Sequence, residues 1–268
     1  MDDLKRITMF KPGAKSFHTE AMDNFDAGLS EKNLEYLIGK ASFKQACERY
    51  FDITPEPVLA NLANHFQPWE SSPKRLVLAH GDAVRAISFA APYAIWVFLF
   101  NHMGRAFIFS PHDGPFRLVM NIILHMFSER PQLATLLEVD ALSIRLRADP
   151  ERRIEWVHPD TLTNHKMQKM SGCHSFVYVD SAQHFSNDFL HALRDTLLRQ
   201  QRALISGVPL SAQGAFGELY RDKSFTPVKI SALDMDRYSE KTIEALRLER
   251  GENSDYFRSM VLAEFPQL

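Results

Sequence analysis

Cysteine is scarce in this sequence, which has Cys47 and Cys173 and no others among its 268 residues. Two distant thiols provide neither a disulfide framework nor a paired metal-ligand motif, which excludes small disulfide-stabilised folds and zinc ribbons. The H-E-x-x-H motif of metalloproteases and the G-x-S-x-G motif of serine hydrolases are also missing. The 11 histidines are scattered, and we expect none of them to form a metal site.

The sequence also lacks a large net charge and a membrane-length hydrophobic run. Its formal net charge is −2, so any contact with DNA would depend on a local basic patch. The apolar stretch 86–100 is shorter than the roughly 20 residues of a membrane span and contains Pro92, which favours a buried helix. The N-terminal residues lack the apolar core of a signal peptide. We therefore expect a cytoplasmic protein without membrane association.

From residue 75 onward, short apolar runs alternate with helical segments. The strand-like runs are 75–79, 106–109, 142–148, 153–158, 175–180, 202–207 and 227–233. The helix-like segments are 30–51, 54–66, 86–101, 114–127, 187–200, 214–222, 239–250 and 254–264. Residues 142–148 and 153–158 are expected to form a hairpin around 149–152. This alternation predicts an α/β fold in three layers, with a mainly parallel sheet and a ligand at the carboxyl ends of its strands.

The composition divides the chain into two parts. Residues 1–70 are predicted to form a polar N-terminal tail and a helical region, and residues 71–268 the α/β domain. Basic residues cluster at 145–153 and 164–169, where they could form a ridge that faces DNA. The alternative is that these side chains form an ordinary solvated surface.

An acidic residue ends one of the buried strands. The run FVYV is followed by Asp180, which is where nucleotide-hydrolysing α/β proteins place an acid that holds Mg²⁺. Ser181 follows, where such enzymes commonly have a glutamate, and a hydroxyl is no general base near neutral pH. His184 could substitute as a base or could be an exposed or capping residue. Asp180 could equally cap the turn that follows the strand.

The C-terminal stretch KISALDMDRYSEKTIEALRLERGENSDYFRSMVLAEFP, residues 229–266, resembles the end of the ATPase domain of the phage terminase large subunit. The order of elements over residues 45–266 is similar to the same domain. The resemblance implies a RecA-like P-loop NTPase fold with ATP and Mg²⁺ as cofactors. It also implies a phage or prophage protein in the bacterial cytoplasm, with packaging components, DNA and further subunits as partners. In that family a nuclease domain commonly follows.

Set against the family pattern G-H-G-x-G-K-[ST], the first loop reads AHGDAVR and departs from it where phosphate would be bound. His80 and Gly81 match, Asp82 adds a negative charge, and Ala83 replaces a glycine. Val84 occupies the lysine position and Arg85 the Ser/Thr position. With a shift of one residue, Arg85 would supply the cation, although its planar fork does not reproduce an ammonium group. Lys74 and Arg75 are upstream alternatives.

The third loop keeps Gly207 and Pro209 but has Val208 where the family often has a polar residue that senses the γ-phosphate. Pro111, after the second strand, also matches the family. Since the losses at the three loops would meet at one site, we expect a pseudo-ATPase that acts through partner or DNA binding. The alternative is an active, ATP-hydrolysing packaging motor with an unusual phosphate loop. In that case Asp180 would bind Mg²⁺.

Overall fold

A single mixed sheet of eight strands organises the molecule. The computed structural model describes residues 42–54, 56–66, 74–81, 84–100, 104–161, 175–197, 202–235 and 239–267. The strands are β1 Arg75–His80, β2 Arg105–Phe109, β3 Leu137–Val139, β4 Ser143–Leu146, β5 Asp149–Val157, β6 Ser175–Val179, β7 Arg202–Gly207 and β8 Thr226–Ile230. Their spatial order is β3-β4-β5-β2-β6-β7-β1-β8.

The six strands from β5 to β8 in this order are mutually parallel, and β3 and β4 extend the sheet in antiparallel fashion. The predicted α/β class with a mainly parallel sheet is therefore confirmed. The predicted hairpin of β4 and β5 is present, but its turn was misplaced. The chain turns at 147–148, and residues 149–151 already belong to β5. Pro150 is tolerated there because this end of β5 pairs with β4 alone.

Helices cover both faces of the sheet. They are α1 Phe43–Ala46, α2 Pro57–Ala60, α3 Leu62–His65, α4 Ile87–Phe100, α5 Gly114–Glu129, α6 Leu133–Leu136, α7 Asn187–Leu197, α8 Ala215–Arg221, α9 Glu240–Arg250 and α10 Asp255–Met260. A π-helical turn, Cys47–Phe51, continues α1. The sequence reading missed β3 and α6, which are too short for hydrophobic periodicity to reveal them.

Helix α4 forms the centre of one face and is buried on all sides. Its residues from Phe89 to Leu99 are all buried, which confirms that this apolar run is a core helix. Among the described residues, no helix is long and apolar enough to cross a membrane. The buried Arg152 of β5 donates hydrogen bonds to the carbonyls of Phe98 (2.6 Å) and Leu99 (2.8 Å), which satisfies acceptors at the end of α4.

The short N-terminal helices pack on α4 through aromatic rings. Phe43 contacts Phe89 and Tyr93 edge to face, with ring centroids 5.5 Å and 5.3 Å apart. Phe66 lies 5.1 Å from Tyr93 by the same measure. Residues 43–66 therefore share one core with this face of the sheet. The expected boundary at residue 70 falls in 67–73, outside the described residues.

The opposite face carries α7 and α8, and helix α10 lies at the carboxyl ends of the strands. Leu190, Leu193 and Leu197 of α7 are buried against the sheet. A smaller core made by Ala232, Phe257 and Val261 joins α9 and α10 to the segment after β8. This places the C-terminal segment beside the carboxyl ends of the strands.

Candidate functional site

The loops predicted to form a site follow three adjacent strands. In the sheet, β7 lies between β6 and β1, with Val179 opposite Ile205 and Ala79 opposite Gly207. Because these strands are parallel, the segments that start at Gly81, Asp180 and Val208 leave the same edge of the sheet. The fold thus brings together the described residues of the three loops that sequence reasoning selected.

The first loop is packed against the chain's own C-terminal segment. The Gly81 amide donates to the Ile230 carbonyl (3.0 Å) and so extends the ladder between β1 and β8. A Cβ placed on Gly81 would lie 2.8 Å from both the Ala232 nitrogen and the Met260 oxygen. His80 Nδ1 lies 2.9 Å from the Gly81 carbonyl oxygen. Asp82 and Ala83 lie outside the described residues.

The residue at the expected lysine position cannot serve as a phosphate ligand. Val84 is 2% exposed and belongs to the core around α4. Arg85, the next residue, is exposed, and its carbonyl accepts the Ser88 amide in the turn that leads into α4. Arg85 is therefore the described cation nearest to this loop in sequence. Arg75 begins β1, at the amino ends of the parallel strands, and donates to the Leu197 carbonyl (3.2 Å), so it lies at the end of the sheet opposite to this loop.

The acid that ends β6 is engaged with neighbouring hydroxyl groups. Tyr178 Oη donates to Asp180 Oδ1 at 2.6 Å, and Ser181 Oγ donates to Asp180 Oδ2 at 3.1 Å. The Asp180 amide donates to the Phe109 carbonyl (2.8 Å), which fixes the backbone against β2. Burial, then the charge of Asp180 and the hydrogen bond to it, hold the pKa of Tyr178 well above its usual range. The phenol is thus a neutral donor.

Ser181 adopts a left-handed backbone conformation, with φ 58° and ψ 49°. For a residue other than glycine, this conformation costs roughly 1–2 kcal/mol. A 3₁₀ turn, Ala182–His184, follows directly, and the His184 amide donates to the Ser181 carbonyl (2.9 Å). The His184 side chain is exposed, and it has no hydrogen bond or ion pair within the described part of the chain. The structure therefore favours the interpretation of His184 as an exposed turn residue.

The loop after β7 is held by a residue that the sequence reading did not select. Gln183 Oε1 accepts the Val208 amide at 3.1 Å and lies 2.6 Å from where a Cβ on Gly207 would be. Val208 itself is 6% exposed and offers no polar side-chain atom. Ser259 of α10 donates to the Pro209 carbonyl at 2.8 Å. Gln183 and Ser259 thus fix the third loop from two sides.

A cleft of about 410 Å³ opens between the loops after β6 and β7 and helix α10. Its lining includes Gln183, His184, Leu210, Tyr256 and Met260. Leu210 and Tyr256 are 50% and 44% exposed, so the mouth of the cleft is largely apolar. Since none of the described residues that line it is a lysine or an arginine, this lining is not electrostatically suited to a polyphosphate.

The described residues do not fit a magnesium–nucleotide complex. Both oxygens of Asp180 already accept hydrogen bonds, the lysine position is a buried valine, and the sensor position is apolar. A cation at Asp180 Oδ1 would meet the proton of the Tyr178 hydroxyl. Among the described residues, no group of three or more His, Cys, Asp or Glu side chains could hold a metal ion.

Most of the basic ridge proposed at 145–153 is engaged with other groups. Arg145 pairs with Glu138 and Asp140, Arg153 pairs with Glu151 and Glu155, and Arg152 is buried beneath α4. Arg147 is exposed and, within the described ranges, pairs with no acid. The second cluster, 164–169, lies outside the described residues. A continuous cationic surface is therefore not formed by 145–153.

Comparison with known proteins supplies fold relatives and no sequence relatives. No family model matches the chain, and no curated protein matches it. A mutant of the large terminase ATPase domain from Thermus phage P74-26 is similar in structure, with a TM-score of 0.60, 18% identity and coverage of 85% of this chain and 100% of that domain. The HK97 bacteriophage large terminase gives a TM-score of 0.57 at 10% identity, with coverage of 80% of this chain. A large terminase from a thermophilic bacteriophage gives 0.51 at 12% identity, with coverage of 79%.

The matched region accounts for 51% and 54% of the HK97 and thermophilic phage proteins, so this chain aligns with about half of each. At these identities the comparison concerns the fold. It confirms the predicted resemblance at that level, over 79–85% of this chain. The chain has the RecA-like fold of phage large terminase ATPase domains.

Proposed function

We propose that this chain is a terminase-like domain that neither binds nor hydrolyses ATP and that works in phage DNA packaging through a binding surface. The observation that carries the proposal is the state of Asp180, whose two carboxylate oxygens accept hydrogen bonds from Tyr178 and Ser181. The buried Val84 and the apolar Val208 support it, since each removes a polar contact to the phosphates. The protein would work in the cytoplasm of a bacterial host.

A protein component of the packaging apparatus, or another subunit, is the partner that we favour over DNA. Arg145, Arg152 and Arg153 are engaged with carboxylates or backbone carbonyls, which leaves little free cationic surface in 145–153 for phosphates. Leu210 and Tyr256 expose apolar area near the carboxyl edge. An exposed apolar area of this kind is more typical of protein contacts than of contacts with DNA.

Calorimetric titration of ATP, and of a slowly hydrolysed analogue, with Mg²⁺ into the purified protein tests the first part of the proposal. We expect no binding at millimolar nucleotide and no nucleotide-dependent rise in melting temperature. Binding in the micromolar range would contradict the proposal. For the second part, fluorescence anisotropy with labelled duplex DNA over a salt series should show no binding, whereas binding that weakens steeply with salt would favour DNA as the partner.

An active packaging ATPase is the second candidate, and the position of Arg85 favours it. This exposed guanidinium precedes α4 directly, and within the described residues it forms no hydrogen bond or ion pair, so it is free to meet a phosphate. If the protein hydrolyses ATP, Arg85→Ala should abolish turnover. Arg147→Ala is the matched control, since Arg147 is also exposed but lies in the turn between β4 and β5. Equal turnover in both variants would rule out the role of Arg85.

A further inference from the structure

Two hydroxyl groups contact the acid that follows β6, and a third hydroxyl contacts one of those two. Tyr178 Oη is 2.6 Å from Asp180 Oδ1, and Ser181 Oγ is 3.1 Å from Asp180 Oδ2. Ser206 Oγ lies 3.2 Å from Tyr178 Oη and 3.2 Å from the Val179 carbonyl oxygen, so its one proton can be given to either. These contacts join the ends of β6 and β7 through side chains as well as through the strand ladder.

The phenol cannot easily leave this position. Tyr178 and Asp180 are two residues apart on a strand, so their side chains project from the same face. The Tyr178 ring is fully buried in the core on the α4 side of the sheet, together with Leu78 and Leu204 of the neighbouring strands. Ser206 is also fully buried and approaches from β7. The hydroxyl is therefore positioned by the packing of its ring. Because the core already fixes the Tyr178 side chain, the hydrogen bond to Asp180 costs little additional conformational entropy.

We propose that Tyr178 is a positioning residue that occupies Asp180 and keeps this carboxylate from binding a divalent cation. The inference rests on the proposed function, because it names the interaction that replaces the metal at this strand end. A donated hydrogen bond to a charged group is among the stronger ones in proteins. A cation that approached Asp180 Oδ1 would have to share this oxygen with the Tyr178 hydroxyl, whose ring the core holds in place.

Titration of Mn²⁺ alone, without nucleotide, tests the proposal on the intact chain. The wild-type protein and Asp180→Asn should bind Mn²⁺ with nearly the same weak affinity, because Tyr178 and Ser181 compete with the cation for the carboxylate oxygens. Asn keeps the size of the side chain, and Asp180 is only partly buried. Loss of Mn²⁺ affinity in Asp180→Asn would overturn the proposal, since it would show that the carboxylate is a ligand despite the phenol.

Removal of the hydroxyl gives the complementary experiment. Tyr178→Phe should bind Mn²⁺ about tenfold more tightly than the wild type, because the cation no longer competes with a hydrogen bond to a charged group. The gain should vanish in the double variant Tyr178→Phe/Asp180→Asn. Tyr220→Phe is the matched control, because Tyr220 lies on α8 and packs on the opposite face of the sheet. An unchanged affinity in Tyr178→Phe, or a gain that survives Asp180→Asn, would refute the role of Tyr178.

The Mn²⁺ titrations and the ATP titration test different claims, so one claim can be refuted while the other stands. If the protein binds ATP but Asp180→Asn leaves Mn²⁺ affinity unchanged, the proposed function falls and the role of Tyr178 stands. If the protein binds no ATP but Asp180→Asn weakens Mn²⁺ binding, the proposed function stands and the role of Tyr178 falls. The Asp180→Asn measurement also tests whether Asp180 binds a cation without any substitution in the core.

Discussion

Two glycines at the same edge of the sheet, Gly81 and Gly207, differ in what surrounds them. A Cβ on Gly81 would meet backbone atoms, the Ala232 nitrogen and the Met260 oxygen, both at 2.8 Å. A Cβ on Gly207 would meet the end of the Gln183 side chain at 2.6 Å, with the Ala182 nitrogen and Phe216 Cζ at 3.2 Å. The backbone atoms near Gly81 are fixed by the fold and cannot move away from an added Cβ, whereas the Gln183 side chain near Gly207 can rotate away from one.

The comparison shows that both glycines are required by the protein's own packing. Sequence reasoning assigned Gly81 and Gly207 to a nucleotide site because they match a phosphate-binding pattern. The contacts within the chain explain them without a ligand. A glycine that matches a phosphate-binding pattern is therefore poor support for a nucleotide site when contacts within the chain account for it.

The largest effect should come from Gly81→Ala. The added methyl would overlap two backbone atoms of the C-terminal segment, and overpacking of this kind costs up to about 3 kcal/mol. Urea unfolding followed by circular dichroism would measure the loss. Gly114→Ala is the control, because a Cβ there meets only the His112 ring at 3.4 Å, an ordinary contact. If Gly81→Ala loses no more unfolding free energy than Gly114→Ala, the C-terminal segment moves to accommodate the added methyl group.

Gly207→Ala should be milder, with a loss of about 1.5 kcal/mol. Gln183 must move away and give up the hydrogen bond that it accepts from the Val208 amide. The same substitution in a Gln183→Ala background should cost less, because the glutamine side chain is already absent. Additive losses in the double variant would indicate that Ala182 and Phe216, and not Gln183, produce the crowding.

Ser259→Ala should cost about 1 kcal/mol of unfolding free energy. Its hydroxyl donates to the buried Pro209 carbonyl, and the loss of that donor leaves the acceptor without its partner from α10. Ser128→Ala offers a control on the exposed end of α5, where, within the described ranges, the hydroxyl bonds only to the His125 carbonyl three residues earlier. If both variants unfold at the same urea concentration as the wild type, α10 does not support the third loop.

Arg85→Ala should change stability least, by no more than about 0.5 kcal/mol. The side chain is exposed and forms no hydrogen bond or ion pair within the described residues. Its melting temperature should therefore equal that of the wild type. A clear loss of stability would mean that Arg85 has a structural partner, which would weaken any catalytic interpretation of the turnover measurement.

The sequence predicted the layers of the fold better than the contacts of the site. Continuous apolar runs in the sequence predict buried parallel strands such as β6 and β7. Because the loops that follow parallel strands meet at the carboxyl ends of those strands, the sequence also predicted that Asp180 lies near Val208. The partners of Asp180 were harder to predict. The period of two along β6 does align Tyr178 with Asp180, but the approach of Ser206 depends on the register between strands, which no local pattern encodes.

The contacts of Gly81 and Gln183 could not be predicted from the sequence either. Met260 comes close to Gly81 only because α10 folds back across the strand ends, since the two residues are 179 positions apart in the chain. Gln183 reads as an ordinary turn residue, and its contact with the Val208 amide becomes visible only once the two loops are placed side by side.

The left-handed conformation of Ser181 restricts which side chains this position accepts. A Ser181→Glu substitution would keep the unfavourable left-handed backbone, lose the hydroxyl that bonds to Asp180, and place a second carboxylate next to the first. The lost hydrogen bond and the repulsion between the two carboxylates both cost free energy. The stability of the fold at this strand end therefore opposes a glutamate at position 181, whatever chemistry that glutamate could perform.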